Sequence, residues 1–398
     1  QQGKDGALVT VTLLNKFVQD EDQKVNPEHC LYQIGLRCRP ENGTIENYPS
    51  ITRLSHDDEE EELVLQYQNH TTYAVGHGCA ALWEENNNVI TSVQTTSLPQ
   101  YEVKPVTPTL NTDDENEDKN TTSLQFFADQ NFKTDALKNF LSGYISWFND
   151  VCAEVVDERY NDAKKRITDR IKDAVRRIEN GIALLENNKD VKWSFCMANR
   201  AMLMQMIHTN KNYAGHIGKE RDEIAFNKPD YDAPEFQDYK WRPFQIAYQL
   251  LVLESLANPD SEDRDIVDLL WFPTGGGKTE AYLALTAFEL IYRRIRYGEE
   301  GAGTSVIKRY TLRLLTTQQF QRASTLICAL ESIRKENHPA LGKSPYTLGL
   351  WVGEASSPNL YTIEKDYQKG AYELYKDMLE ADKPENYFQL QVCPWCGT

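Results

Sequence analysis

The string Phe272-Pro273-Thr274-Gly275-Gly276-Gly277-Lys278-Thr279-Glu280 combines three consecutive glycines, a lysine and a threonine in an order that can cradle phosphate. Glycines let the backbone turn tightly and aim successive N–H groups at phosphate oxygens, and the N-terminus of a following helix adds its positive end. In such a loop Lys278 neutralises the β- and γ-phosphates of a nucleoside triphosphate, and the Thr279 hydroxyl binds Mg²⁺. The predicted nucleotide site is therefore Thr274, Gly275, Gly276, Gly277, Lys278, Thr279 and Glu280, with Lys278 and Thr279 in the catalytic role. The strict GxxxxGK[ST] pattern asks for glycine at position 272, where this chain has phenylalanine. An ordinary glycine-rich turn is the competing reading.

Gln245 lies 33 residues before Lys278 in Trp241-Arg242-Pro243-Phe244-Gln245. Its amide carries one donor and one acceptor group, the complement of the adenine edge, so it joins the expected cofactor site. A surface loop is the alternative there. Downstream, the stretch from Arg309 to Gln319 ends an expected strand and opens a helix. Helix N-terminal amides with the Thr316 and Thr317 hydroxyls can hold a DNA phosphate without reading bases. Arg313, Thr316, Thr317, Gln318 and Arg322 are the expected nucleic-acid contacts, together with Gly353 at the exit of the next strand. Simple helix capping by Thr317 competes with that reading.

The sequence ends in Cys393-Pro394-Trp395-Cys396-Gly397-Thr398, a knuckle able to give two thiolates to a four-ligand Zn²⁺ site. A redox dithiol and an unliganded surface pair remain as alternatives. His77 and Cys79 stand two residues apart, and packing is the expected role of both. Hydrolysis of a nucleoside triphosphate also asks for an acidic pair after a buried strand, and no Asp-Glu string follows Thr279. Half a zinc site and half an ATPase lead to the expectation that the chain is the front end of a larger protein, or the ordered part of one.

These residues need a frame. From residue 236 apolar runs alternate with helical periods: a strand at 266–272, a helix at 279–296, a strand at 306–315, a helix at 318–334 and a strand at 347–352. That βαβαβ order predicts an α/β fold, a P-loop parallel sheet with helices on its faces. Arg293, Arg294 and Arg296 fall at the C-terminal end of the first of these helices, where the macrodipole favours cations. Before it, Leu137, Phe140, Leu141, Tyr144, Phe148 and Val151 share one helical face, and a second such run extends from Ala163 to Leu185. A third run holds four of the five methionines, which read as core filler. The predicted organisation is a β-rich domain over 1–110, an acidic linker over 111–122, a helical domain over 123–235 and the phosphate-binding domain over 236–398. Within the first, Leu63-Val64-Leu65-Gln66-Tyr67 and Val89-Ile90-Thr91-Ser92-Val93 alternate as strands do, and the acidic run Asp57 to Glu62 reads as a solvated loop.

Length and charge bound the rest. The 398 residues carry a net charge of −17, but residues 1–120 account for −13 of it, with 8 basic and 21 acidic side chains. The last two thirds are nearly neutral, which leaves room for a local basic groove. No apolar run approaches the ~18 residues that cross a membrane, and no secretory signal opens the chain, so a soluble cytoplasmic protein is expected. Eight cysteines, six of them scattered singly, suit a reducing cytosol.

Taken together, these strings resemble the DrmA-like helicases of DISARM antiphage defence, within superfamily 2. The resemblance rests on Ala74 to Ala81, Trp241 to Gln245, Val267 to Tyr282 and Arg309 to Thr316. Superfamily 2 motors use phosphate loops of the form PTGxGKT, which Pro273 to Thr279 matches, and Trp241 to Gln245 is similar to the RPxQ form of their adenine-reading motif. The resemblance implies a RecA-like first ATPase domain, a bacterial DNA translocase or helicase using ATP and Mg²⁺, and a DrmB-like partner subunit. It also implies a second RecA-like domain that supplies an arginine finger. Two other readings of the chain stay open: a P-loop switch that never touches nucleic acid, and a non-enzymatic assembly module whose N-terminal domain binds a protein.

Overall fold

The computed structural model describes residues 6–18, 24, 26–48, 57–100, 122–210, 228–273, 275–310, 313–353, 358, 360–362, 369–382, 390 and 392–397, without the side chains of 313–317. The chain divides into two compact units, Gln1–Val106 with Glu154–Asp169, and Thr107–Ala153 with Arg170–Thr398.

The first unit holds a three-stranded antiparallel sheet of order β1-β3-β2, made of β1 (Arg37–Cys38), β2 (Ala80–Asn86) and β3 (Val89–Thr96). The hairpin between β2 and β3 turns on Asn87 and Asn88, both at positive φ (48° and 61°), the conformation that lets a two-residue turn follow the strand twist. Register pairs Trp83 with Val93 and Leu82 with Gln94. The expected strand at 89–93 is thus β3. The segment 63–67 is different: Leu63, Val64, Leu65 and Gln66 lie in helix α1 (Asp58–Gln66), with Leu65 packed on Tyr160 and Ala163. The acidic run is the first turn of that helix rather than a loop. Asp57 caps it by accepting from the Glu59 N–H, and the carboxylates sit where the macrodipole favours them. Arg166 gathers Glu62, Glu61 and Asp58 at 2.9, 3.1 and 3.3 Å. His77 and Cys79 are both exposed, so neither packs in a core. The second acidic run, 113–118, lies outside the described residues.

The second unit is a helical layer: α2 (Leu124–Ala128), α3 (Asp135–Ala153), the later part of α4 (Asn161–Asn187), α5 (Lys189–Asn210), α6 (Pro243–Ala257), α7 (Lys278–Tyr297), α8 (Arg313–Glu336), α9 (His338–Leu341) and α10 (Ala371–Glu380). The helical periods read over 137–151 and 163–185 are α3 and α4. Helix α5 is buried around its circumference from Val191 to His208, polar Ser194, Asn199 and Gln205 included, and packs against α2, α7 and α8. Met197, Met202 and Met204 are buried in it and Met206 partly so, as core filling requires. Phe127, Phe132 and Phe195 form an edge-packed aromatic cluster, with centroids 5.5 to 6.0 Å apart. At Gly181 on α4 an added Cβ would lie 3.3 Å from Leu250 Cα and closer still to its carbonyl, so glycine sets the α4–α6 approach.

The expected parallel sheet is not formed among the described residues. The segments 266–272, 304–310 and 346–353 run without ladder pairing, and the sheet found among the described residues is the antiparallel one of the first unit. Around 266–272 the strand period of two persists all the same: Asp268, Leu270 and Phe272 are half-buried while Val267, Leu269 and Trp271 are 93%, 85% and 82% exposed. A helix closes its own hydrogen bonds, whereas a strand becomes one only when a neighbour supplies the other half of its ladder. The start of α8 at Arg313 also places 313–315 in a helix rather than at a strand end. Arg294 and Arg296 do more than complement the α7 macrodipole: they donate to the carbonyls of Ser344 (3.1 Å) and Ala257 (2.7 Å). Among the described residues no helix is long and apolar enough to cross a membrane.

Candidate functional site

The loop before α7 has the backbone its glycines allow. Gly275 and Gly277 sit at φ of 80° and 86°, and the Gly276 N–H closes the turn on the Pro273 carbonyl at 3.0 Å. Gly276 has no room for a Cβ, which would strike the Phe272 ring, and a Cβ on Gly277 would come within 2.7 Å of Gln245 Nε2. Gly277 is also the N-cap of α7 and offers no side-chain acceptor, so the first-turn N–H groups have no side-chain cap from that residue. Lys278 folds back over the loop and donates to the carbonyls of Phe272 and, at 3.2 Å, Pro273. Thr279 is half-buried beside it in the first turn of α7. Thr274 lies outside the described residues.

Phe272, the departure from the strict pattern, stacks on Phe244 with centroids 4.0 Å apart and planes at 18°. It joins the loop to the segment around Gln245. That segment grips the loop twice more: Arg242 Nη1 donates to the Gly276 carbonyl at 2.8 Å, and Gln245 Nε2 donates to the Gly277 carbonyl at 2.7 Å. Gln245 Oε1 accepts from the Arg242 backbone N–H at 2.7 Å, which also caps α6. Gln245 is 3% exposed, and its amide positions the glycine turn from both ends. Trp241 anchors the same segment on α5 through Nε1 to Asn199 Oδ1 at 2.7 Å.

The entry to the loop is held from α4. Arg177, 5% exposed, makes a fork to both oxygens of Asp268 at 2.6 and 2.8 Å and faces Asp263 at 3.5 Å, while Arg176 reaches Asp263 at 2.8 Å. Hydrogen bonding to Asp268 first, then the surrounding carboxylates, raises the Arg177 pKa against its burial. Sequence reasoning passed over Arg177 because nothing in an amphipathic helical repeat distinguishes one arginine from the others. Arg242 lies in the string Trp241 to Gln245, but its contact to Gly276 depends on how α6 meets the loop.

Glu280 forms an ion pair with Arg322 of α8, so an expected cofactor residue and an expected DNA contact are joined to each other. Both line a cavity of about 630 Å³ with Asp238, Lys240 and Thr209, a volume within the range of small-molecule sites. Gln318 and Gly353 are exposed, and open space surrounds Gly353 where a Cβ would be. Arg313, Thr316 and Thr317 belong to the first turns of α8, with side chains outside the described residues. Cys393 and Cys396 flank a turn closed by the Gly397 N–H on the Cys393 carbonyl at 2.8 Å. Among the described residues no three metal-ligating side chains stand in ion-holding geometry.

No family model matches the sequence. The chain is 34% identical over 409 aligned positions to the DISARM protein DrmA of Bacillus paralicheniformis. The match covers 100% of this chain and 34% of that protein, so the chain spans about a third of the length of this curated relative.

Proposed function

From a chain that is DrmA-like along its whole length, we propose the nucleotide-binding portion of a DNA helicase or translocase subunit of superfamily 2, serving in bacterial antiphage defence. The observation that carries this reading is the glycine turn at the uncapped N-terminus of α7, clamped by Arg242, Gln245 and Phe272. A nucleoside triphosphate fits that frame. Its phosphates take the first-turn N–H groups of α7, and the Lys278 ammonium exchanges two loop carbonyls for β- and γ-phosphate oxygens. Thr279, in the first turn of α7, gives its hydroxyl to Mg²⁺ in this proposal. The 318–322 part of α8 and Gly353 are the proposed DNA path, and the Glu280–Arg322 pair gives nucleotide and DNA a shared contact. A DrmB-like partner subunit, a second RecA-like domain with its arginine finger, and a zinc site using Cys393 and Cys396 complete the proposal.

The test is ATP–Mg²⁺ affinity by titration calorimetry on the wild type and Lys278→Ala. A charge-assisted contact contributes about 1.5 to 3 kcal/mol, so the variant should bind at least about tenfold more weakly. Equal affinities would remove Lys278 from the site.

A further inference from the structure

Both ends of the Gln245 amide are engaged, Nε2 on the Gly277 carbonyl and Oε1 on the Arg242 N–H, so a base entering beside the loop needs another reader. A second buried glutamine is at hand. Gln205 of α5 lines the cavity of about 630 Å³ that holds the Glu280–Arg322 pair, and it is 1% exposed. Its Nε2 donates to Thr209 Oγ1 at 2.9 Å, whereas its Oε1 is buried with no hydrogen-bond partner among the described residues. A buried acceptor without a donor carries the cost of its lost hydration, which a ligand that brings a donor removes. The neighbouring side chains suit a flat heterocycle. Met206 and Tyr239, both partly buried, give the same cavity a polarisable and an aromatic surface. Tyr239 is fixed by the Phe236 ring at a centroid distance of 6.0 Å and by Asn210 Nδ2, which donates to its hydroxyl at 3.3 Å. Glu280 joins this cavity to the phosphate loop. It is the third residue of α7, so its backbone N–H belongs to the turn that takes phosphate, while its side chain lines the cavity and Oε2 comes 3.4 Å from where a Cβ on Gly277 would stand. The Arg322 guanidinium neutralises that carboxylate, which unpaired would repel an incoming triphosphate.

We infer that this cavity receives the base of the nucleoside triphosphate and that Gln205, rather than Gln245, is the residue that reads it. The inference rests on the reading of residues 274–280 as the phosphate site. With the phosphates on the first turn of α7, the base enters beside Tyr239 and Met206, and its exocyclic amine donates to Gln205 Oε1. A purine without that amine leaves Oε1 buried and unpartnered, and a site built around a hydrogen bond rejects a ligand that cannot make it. Gln245 then acts on the nucleotide only by holding the glycine turn in shape.

The experiment is titration calorimetry of the full chain with three Mg²⁺-loaded ligands: ATP, purine riboside triphosphate, which is ATP without the exocyclic amine, and inorganic tripolyphosphate, which has no base at all. The wild type should bind ATP about fivefold or more tightly than the amine-free analogue. Gln205→Leu, of similar volume but without the amide, should erase that difference and leave tripolyphosphate affinity as in the wild type, which also reports that the fold is retained. Gln205→Asn, which withdraws the amide by one methylene, should erase it too and serves where the leucine variant does not fold. Gln245→Leu should weaken all three ligands together, since it releases the loop. A wild type that binds ATP and the analogue equally, or a Gln205 variant that keeps the difference, overturns the inference. Loss of the difference in Gln245→Leu with tripolyphosphate binding intact returns the reading of the base to Gln245. If the wild type binds neither ATP nor tripolyphosphate, the phosphate-site reading falls, and the inference with it.

Discussion

Within the second unit, the large apolar side chains of helices α5, α7 and α8 and those of the segments that flank them ended in opposite states. Phe195, Leu203, Ile291 and Leu330 are at most 2% exposed, whereas Val267, Leu269, Ile307 and Trp351 are 81% exposed or more. The helices bury one another and satisfy their own backbone. The segments bury at most one side against the helices and form no backbone ladder among the described residues. Hydrophobicity alone therefore does not tell where a residue ends up. What matters is whether the element can complete its hydrogen bonds from within.

This contrast predicts a graded series of stability effects, readable by denaturant unfolding. Phe195→Ala, in the aromatic cluster, should cost about 3 to 5 kcal/mol, because the removed ring leaves a cavity that packed helices cannot close. A loss under about 1 kcal/mol would mean the helical layer is loosely packed. Next comes Arg177→Ala, which strands Asp268, leaves Asp263 to Arg176 alone and should cost about 3 kcal/mol. It should also weaken ATP binding, since Asp268 leads into the phosphate loop. Unchanged ATP affinity would detach the loop from this anchor.

Lys308 lies in the 304–310 segment, with Nζ buried and without a hydrogen-bond partner among the described residues. Burial lowers its pKa to about 8. Between that value and its unfolded value near ~10.5 the unfolded chain binds the extra proton, so stability should rise as pH climbs through this window. Lys308→Met should raise stability at pH 7 by roughly 1 to 3 kcal/mol and abolish the rise. A variant that keeps the pH slope would place its origin elsewhere. Smallest of all, Trp351→Ser, at a side chain 100% exposed, should change stability by no more than about 0.5 kcal/mol. A larger loss would show that the 346–353 segment is already covered in solution.

Much of the helical layer was legible in the sequence because a 3.6-residue period is a local property, as α3, α4 and the methionine-rich α5 illustrate. The 63–67 segment misled, since five residues are too few to separate a strand from the end of an acid-capped helix, and Arg166, about a hundred positions away, helps hold that helix. In the phosphate loop the glycines were decided by sequence alone: Gly275 and Gly277 must reach positive φ, and Gly276 must lie against a ring, so no other residue serves. Tertiary structure decided the partners. Only folding brings Phe272 onto Phe244, both ends of the Gln245 amide onto the loop and its cap, and Arg322 onto Glu280. The reason is range: backbone conformation and helical period follow from a few adjacent residues, while a buried ion pair, a ring stack or a β-ladder needs a partner that sequence order does not identify.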